Sequence, residues 1–220
     1  MNTSAPNETA TAAYLLKVFF ASLAVIAVFV VADLAFIAEG RSFKREGGGL
    51  ETASAVLYFA VIYAFFRHVP ARLWASLFQI PGLMALFAMR EFDMDKAFTQ
   101  SGIMSIKFYS GDSSLVAKLI GGAVAVLALY ILYRVVRFGA PAAWRGIRGG
   151  ESWPWFAALA GVIVVATKSI DGLGRKMLDF GIVISDDLDL LASTAEEIGE
   201  AFIPVCALLA VLARWKGRSE

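Results

Sequence analysis

Six long apolar stretches constrain the fold of this chain more than any other feature. They cover residues 14–36, 50–66, 73–89, 115–136, 153–175 and 194–215, and the last two have shorter apolar cores with polar ends. A helix needs roughly 20 mostly apolar residues to cross the hydrocarbon core of a bilayer. The pattern therefore predicts an all-α, polytopic integral membrane protein with six transmembrane helices in one bundle, residues 1–220 forming a single domain.

Composition supports a membrane protein and excludes several other classes. Hydrophobic residues make up 59% of the chain and charged residues 18%, and the mean hydropathy is +0.68. Soluble domains are roughly half apolar and a quarter charged, so a soluble enzyme and a disordered regulator are both excluded. A net charge of +1 argues against binding to nucleic acid. One cysteine, Cys206, excludes an internal disulfide framework.

Helix-breaking residues lie between the apolar stretches and predict where helices end. They are Gly47-Gly48-Gly49, Pro70, Gly111-Asp112-Ser113 and Gly139-Ala140-Pro141. The fifth stretch stays apolar to Thr167, and we expect it to continue as a polar helix past Arg175.

The charged residues are divided unequally between the two sides of the predicted bundle. Six spans place both termini on one side, which carries ten of the twenty basic residues and only three of the nineteen acidic ones. Retained positive charge marks the cytoplasmic side of a membrane. We therefore predict a plasma-membrane protein, in the inner membrane if the source is bacterial, with both termini cytoplasmic.

All five tryptophans fall at cytoplasmic span ends or in the loop between them, which is typical of interfacial anchors.

The opposite, outer face carries sixteen of the nineteen acids, and several of them lie inside predicted helices. An ionised side chain at membrane depth costs at least about 2.5 kcal/mol, so such groups are usually paired, face inward and mark a site. Residues three or four apart share a helix face, which groups 168, 171 and 175 on one helix and 196, 197 and 200 on the next. The predicted ligand-binding residues are Arg90, Lys168, Asp171, Arg175, Glu197 and Glu200.

Three interpretations of this polar site remain open, and the sequence leaves open whether the chain is an enzyme. We favour a protein that binds and translocates a cation, a proton or a small polar solute, with carboxylates as acceptors and basic residues as counter-charges. The alternative is a metal-dependent enzyme acting on lipid headgroups or phosphate esters, because carboxylate oxygens hold Mg²⁺ or Mn²⁺ and the metal can activate water. Its metal ligands would come from Glu51, Glu91, Asp93, Asp171, Glu197 and Glu200.

The third interpretation is a structural or regulatory membrane subunit in which ion pairs only hold helices together. The expected partners are the lipid bilayer and a small solute. Gly121-Gly122 and Gly161 permit close approach of helices, so a homo-oligomer is also compatible with the sequence.

Overall fold

Every described element of the chain is helical. The structure is a computed structural model and describes residues 5–36, 48–92, 94, 106–111 and 113–216. In chain order its elements are α1 (Ala5–Phe36), α2 (Gly49–His68), a 3₁₀ turn (Ala71–Leu73), α3 (Trp74–Leu77), α4 (Gln79–Glu91), α5 (Ile106–Ser110), α6 (Leu115–Arg134), a π-helical turn (Val135–Gly139), α7 (Ala140–Arg148), α8 (Trp153–Ile170), α9 (Leu173–Asp179) and α10 (Asp186–Trp215).

Five of the described helices are long and apolar enough to cross a membrane. They are α1 from Thr11, α2, the continuous helix Leu115–Arg148, α8 and α10. The third predicted span is a bent pair, in which Ala71–Leu77 and α4 meet at 62°. Pro81 in the first turn of α4 has no amide hydrogen for the helix that precedes it, which favours a break at this position. The prediction of an all-α chain with several apolar spans is confirmed, and the number of candidate spans is five or six.

Two predicted helix ends are wrong. The chain does not break at Gly139-Ala140-Pro141, because the π-helical turn carries the helix directly from α6 into α7. A π turn changes the hydrogen-bond pattern locally, and Pro141, in the first turn of α7, falls just after that change. The fifth helix does not continue past Arg175: it ends at Ile170, and Gly172 has a φ of +60°. That left-handed conformation suits glycine and ends helices.

The sixth predicted helix begins at Asp186, well before residue 194. The Ser185 hydroxyl oxygen accepts a hydrogen bond from the amide of Leu188, at 3.3 Å. A serine in this position satisfies an amide that the first helical turn leaves without a partner. The polar residues before residue 194 are therefore part of α10.

Helices α2 and α10 form the centre of the bundle. In the most apolar 18-residue segment of each helix, the share of buried residues is 56% for α2 and 67% for α10. The same share is 11% for α1 and 11% for the Leu115–Arg148 helix. Helix α10 packs against α8 and α2, and α2 packs against α4 and α1. The outer helices therefore present most of their apolar side chains away from the protein, as lipid-facing helices do.

Arg134, at the end of α6, links this helix to the bent pair formed by Ala71–Leu77 and α4. Its Nε donates to Oε1 of Gln79 at 3.2 Å, and its Nη2 donates to the carbonyl oxygen of Ser76. The guanidinium also lies over the ring of Phe78, 4.8 Å from the centroid. These contacts hold the two halves of the broken helix against α6.

We expect Gly49→Ala to destabilise the protein. A Cβ at this position would lie against the carbonyl oxygen of Phe29 and 2.9 Å from Cβ of Asp33, so α1 would have to move away from α2. Overpacking of this kind costs about 1–3 kcal/mol. Thermal unfolding of the purified protein in detergent measures the loss.

Gly122→Ala is the matched control, since a Cβ on Gly122 of α6 meets nothing within 4 Å. Alanine is the better helix former by roughly 1 kcal/mol, so this variant should be as stable as the parent or more stable. Equal effects of the two substitutions would contradict the close approach of α1 and α2.

Candidate functional site

Charged side chains from three helices meet at one end of the bundle. Arg90, at the end of α4, places Nη1 2.8 Å from Oε1 of Glu200 in α10. Lys168, in the last turn of α8, places Nζ 3.0 Å from the same carboxylate oxygen. Glu200 therefore joins α4, α8 and α10 through one shared acceptor.

Lys168 extends this network to two further carboxylates. Its Nζ lies 3.1 Å from Oδ2 of Asp171 and 3.8 Å from Oε1 of Glu196. Lys176, on the following helix, donates to the carbonyl oxygen of Lys168 at 2.9 Å and so satisfies one of the free carbonyls at the end of α8. We call Arg90, Lys168, Asp171, Glu196 and Glu200 the Glu200 cluster.

The carboxylates on α10 lie deeper than the basic groups that pair with them. The side chains of Glu200 and Glu196 are 11% and 14% exposed, whereas those of Arg90 and Lys168 are 44% and 42% exposed. The buried part of the cluster is thus acidic, and its partly solvated part is basic.

A close contact between α8 and α10 sets this geometry. A Cβ on Gly199 would lie 2.5 Å from Cγ2 of Thr167, so only glycine allows the two backbones to approach so closely here. Lys168 and Glu200 are the next residues along the two helices. The close approach at Gly199 therefore lies beside their ion pair.

Glu91 is the most isolated acid near the cluster. It is only 9% exposed, and it lies within electrostatic reach of Glu51 and Glu200 as well as of Arg90 and Lys168. Within the described part of the chain, no hydrogen bond and no ion pair within 4.0 Å joins its carboxylate to another residue. Among the residues described, the Glu91 carboxylate therefore lies beside the Glu200 cluster without a close counter-charge.

Glu196 belongs to the Glu200 cluster but was not among the predicted ligand-binding residues, and the sequence analysis missed Tyr58 altogether. It lies in the middle of α2, is 1% exposed and packs on the ring of Phe87, with centroids 5.5 Å apart. It is close enough to Glu91 and Glu200 to interact with them electrostatically. A polar hydroxyl in the middle of a predicted span could have marked Tyr58 as a site residue. The sequence does not show, however, which face of the helix the side chain occupies.

Four of the six predicted ligand-binding residues come together: Arg90, Lys168, Asp171 and Glu200. Glu197 is half-buried on α10, next to Glu196. Arg175 does not continue the polar face of Lys168 and Asp171, because the helix breaks at Gly172; it lies exposed on α9 with its guanidinium folded back beside that glycine.

The structure gives no metal-ligand geometry in the residues it describes. Glu51 lies in the first turn of α2 and Glu91 at the end of α4, while Asp93 lies outside the described residues. Across the described ranges, no group of three or more His, Cys, Asp or Glu side chains is arranged so that it could hold a metal ion. The metal site stays a prediction from sequence.

Asp171 lies just beyond the end of α8, and its ionisation is set by Lys168. Partial burial would raise the pKa of the Asp171 carboxyl, but the hydrogen bond and charge of Lys168 outweigh burial and hold this pKa below its usual value. Asp171 is therefore an anion at neutral pH.

No family model, no curated protein and no solved structure matches the chain. The function is accordingly argued from the geometry of the cluster and of the helices that carry it.

We expect Glu200→Gln to cost more stability than Asp171→Asn. The first substitution removes the charge that both Arg90 and Lys168 face, at a site where the carboxylate itself is buried; with the cations partly solvated, the loss should be about 1–3 kcal/mol. The second breaks an exposed pair three residues apart, worth about 0–1 kcal/mol. Thermal unfolding in detergent ranks the two variants, and the reverse order would contradict the central position of Glu200.

The contribution of Asp171 should depend on pH. Because its pKa is lower in the folded protein than in the unfolded chain, its stabilisation is fully present above the unfolded pKa and is lost as the pH falls through the folded pKa. The difference in unfolding temperature between the parent and Asp171→Asn should therefore shrink in acid. A difference that grows as the pH falls would show that Asp171 is not held ionised by Lys168.

Proposed function

We propose that this chain is a multi-pass plasma-membrane protein that binds a proton or another small cation at the Glu200 cluster and Glu91 and carries it across the membrane. The site would open to the outer face, with both termini in the cytoplasm. The observation that carries this proposal is the buried carboxylate of Glu91 beside a cluster in which acids outnumber bases.

Charge balance supports a positive ligand. Arg90 and Lys168 are the cations that pair within the cluster, and they face the carboxylates of Asp171, Glu196 and Glu200, with Glu91 in addition. With Lys176, whose charge also acts on Asp171, three cations serve four carboxylates among the residues described. Buried carboxylates that repel one another are stabilised when one of them takes up a proton or a cation.

The bent helix supports movement of the ligand as well as binding. Helices α3 and α4 meet at 62°, and α4 ends on Arg90 and Glu91. Broken helices are a recurrent feature of secondary transporters, in which the break itself lines the binding site; here the site lies at the far end of α4 and would move with that helix. A small change of the angle at the bend would move both residues relative to Glu200.

The structural-subunit interpretation is also supported by one observation. The shared acceptor Glu200 ties α4, α8 and α10 together, which is what a purely structural network would do. The two interpretations differ in Glu91, which forms no such tie among the residues described. The enzyme interpretation has no comparable observation in its favour.

Flux measurements on Glu91→Gln test the proposal. In liposomes with an imposed pH gradient and an enclosed pH-sensitive dye, the parent protein should dissipate the gradient, and Glu91→Gln should slow this at least about tenfold, because the amide cannot take up a proton. A sodium gradient in place of the pH gradient shows whether a metal cation substitutes.

Asp187→Asn is the matched control, because Asp187 is an exposed acid in the first turn of α10, outside the cluster. It should leave the flux unchanged. If the parent shows no flux, or if Glu91→Gln keeps it, the transport proposal is wrong; loss of stability alone in Glu91→Gln and Glu200→Gln would support the structural subunit.

The side of each terminus is a separate prediction. Reporter enzymes that are active only in the cytoplasm, fused to either end, should both be active, because six spans return the chain to its starting side. Activity at one end only would show that the bent pair α3–α4 enters the membrane and leaves on the same side, which gives five spans.

A further inference from the structure

Lys168 places one ammonium group among three carboxylates. Its Nζ lies 3.0 Å from Oε1 of Glu200, 3.1 Å from Oδ2 of Asp171 and 3.8 Å from Oε1 of Glu196. Asp171 follows directly on the end of α8, and the two glutamates are one turn apart on α10. A single cation, tethered to α8, thus stands where the carboxylates of the Glu200 cluster converge.

The other two cations near the cluster are placed differently. Among the residues described, Arg90 pairs with one carboxylate only, that of Glu200, at 2.8 Å. Lys176 donates to backbone carbonyl oxygens, to that of Lys168 at 2.9 Å and to that of Ser169 at 3.5 Å. Of these three basic side chains, Lys168 is therefore the one that several carboxylates surround.

The distances around this position suit an ammonium group and not a small metal ion. Charged N–H···O bonds are about 2.7–2.9 Å long, whereas Mg²⁺ and Ca²⁺ hold their oxygen ligands at about 2.0–2.6 Å. The three carboxylate oxygens lie 3.0 to 3.8 Å from Nζ of Lys168. They are spaced for the lysine, which agrees with the absence of metal-ligand geometry from the described part of the chain.

The position of the ammonium is open to water on one side. The side chains of Lys168 and Asp171 are 42% and 43% exposed, while those of Glu196 and Glu200 are largely buried. A dissolved cation could therefore reach the same position if the lysine side chain were absent. The close approach of α8 to α10 at Gly199 would still hold the two helices together.

We propose that Lys168 determines the ion specificity of the site, because its ammonium fills the cation position of the Glu200 cluster and so excludes sodium, potassium and other metal cations. This inference rests on the proposed function and narrows its ligand to the proton. A metal cation needs several oxygens around it, whereas a proton binds to a single carboxylate oxygen. Glu91, outside the reach of the lysine ion pairs, provides such an oxygen.

Removal of the lysine side chain should turn the cluster into a metal-cation site. Lys168→Ala empties the position and leaves buried carboxylates without the charge that paired with them. Rubidium is a suitable probe, since its ion is close to ammonium in size. The probe would be radioactive rubidium, and its binding to the purified full-length chain in detergent would be measured at equilibrium.

We expect no rubidium binding by the parent above background. Lys168→Ala should bind at least about tenfold more than the parent, because a buried charge that has lost its partner gains strongly from a new one. If Lys168→Ala does not fold, Lys168→Gln is held to the same expectation, since it keeps most of the side chain and removes only the charge. Rubidium binding by the parent, or none by the folded variant, would overturn the proposal.

Lys176→Ala is the matched control. It removes the same charge from the same end of the bundle but leaves the Lys168 ammonium among the carboxylates. It should bind no more rubidium than the parent. Equal binding by Lys176→Ala and Lys168→Ala would show that net charge, and not the position of Lys168, excludes metal cations, and this would overturn the proposal.

The binding experiment needs no transport, so its failure can be told apart from failure of the proposed function. If the parent shows no proton flux in liposomes but Lys168→Ala binds rubidium, the transport function is wrong and the assignment of the cation position to Lys168 stands. If the parent carries protons and also takes up radioactive rubidium into liposomes, transport stands and the specificity role of Lys168 is overturned.

Discussion

Charge placed between apolar helices is usually paired there, and in this protein the pairing centres on Glu200. Arg90 and Lys168 reach the same oxygen of this carboxylate from two different helices. The position of α4 relative to α8 and α10 therefore depends on one acceptor. Glycine at position 199 makes this possible, since it allows α8 to approach α10 closely enough for the ion pair to form.

The sequence was sufficient to predict the cluster where the spacing within single helices determines it. Lys168 and Asp171 are three residues apart, Glu196 and Glu200 are four apart, and both pairs share a helix face as expected. The sequence did not predict the helix ends that depend on backbone conformation. Gly172 ends α8 through a left-handed φ, whereas Gly139 and Pro141 do not end the helix that contains them.

Contacts between distant parts of the chain could not be predicted from the sequence either. Tyr58 and Glu91 are isolated polar residues within or beside apolar stretches, and their proximity follows from the packing of α2 against α4. Arg134, which is distant along the chain, likewise holds the bent pair against α6 by donating to Ser76 and Gln79. Apolar periodicity indicates that such helices exist but not how their polar faces are turned.

The length of α10 has a consequence for the bilayer itself. Its 30 residues extend for about 45 Å, while the hydrocarbon core measures about 30 Å. If Trp215 lies at one interface, roughly 20 residues bring the helix to the other interface near Glu196, and the preceding turns project into the headgroups and water. Thickening of the surrounding lipid would draw Glu196 and the turn before it below the headgroup level, so the depth of the Glu200 cluster in the bilayer becomes sensitive to hydrophobic mismatch.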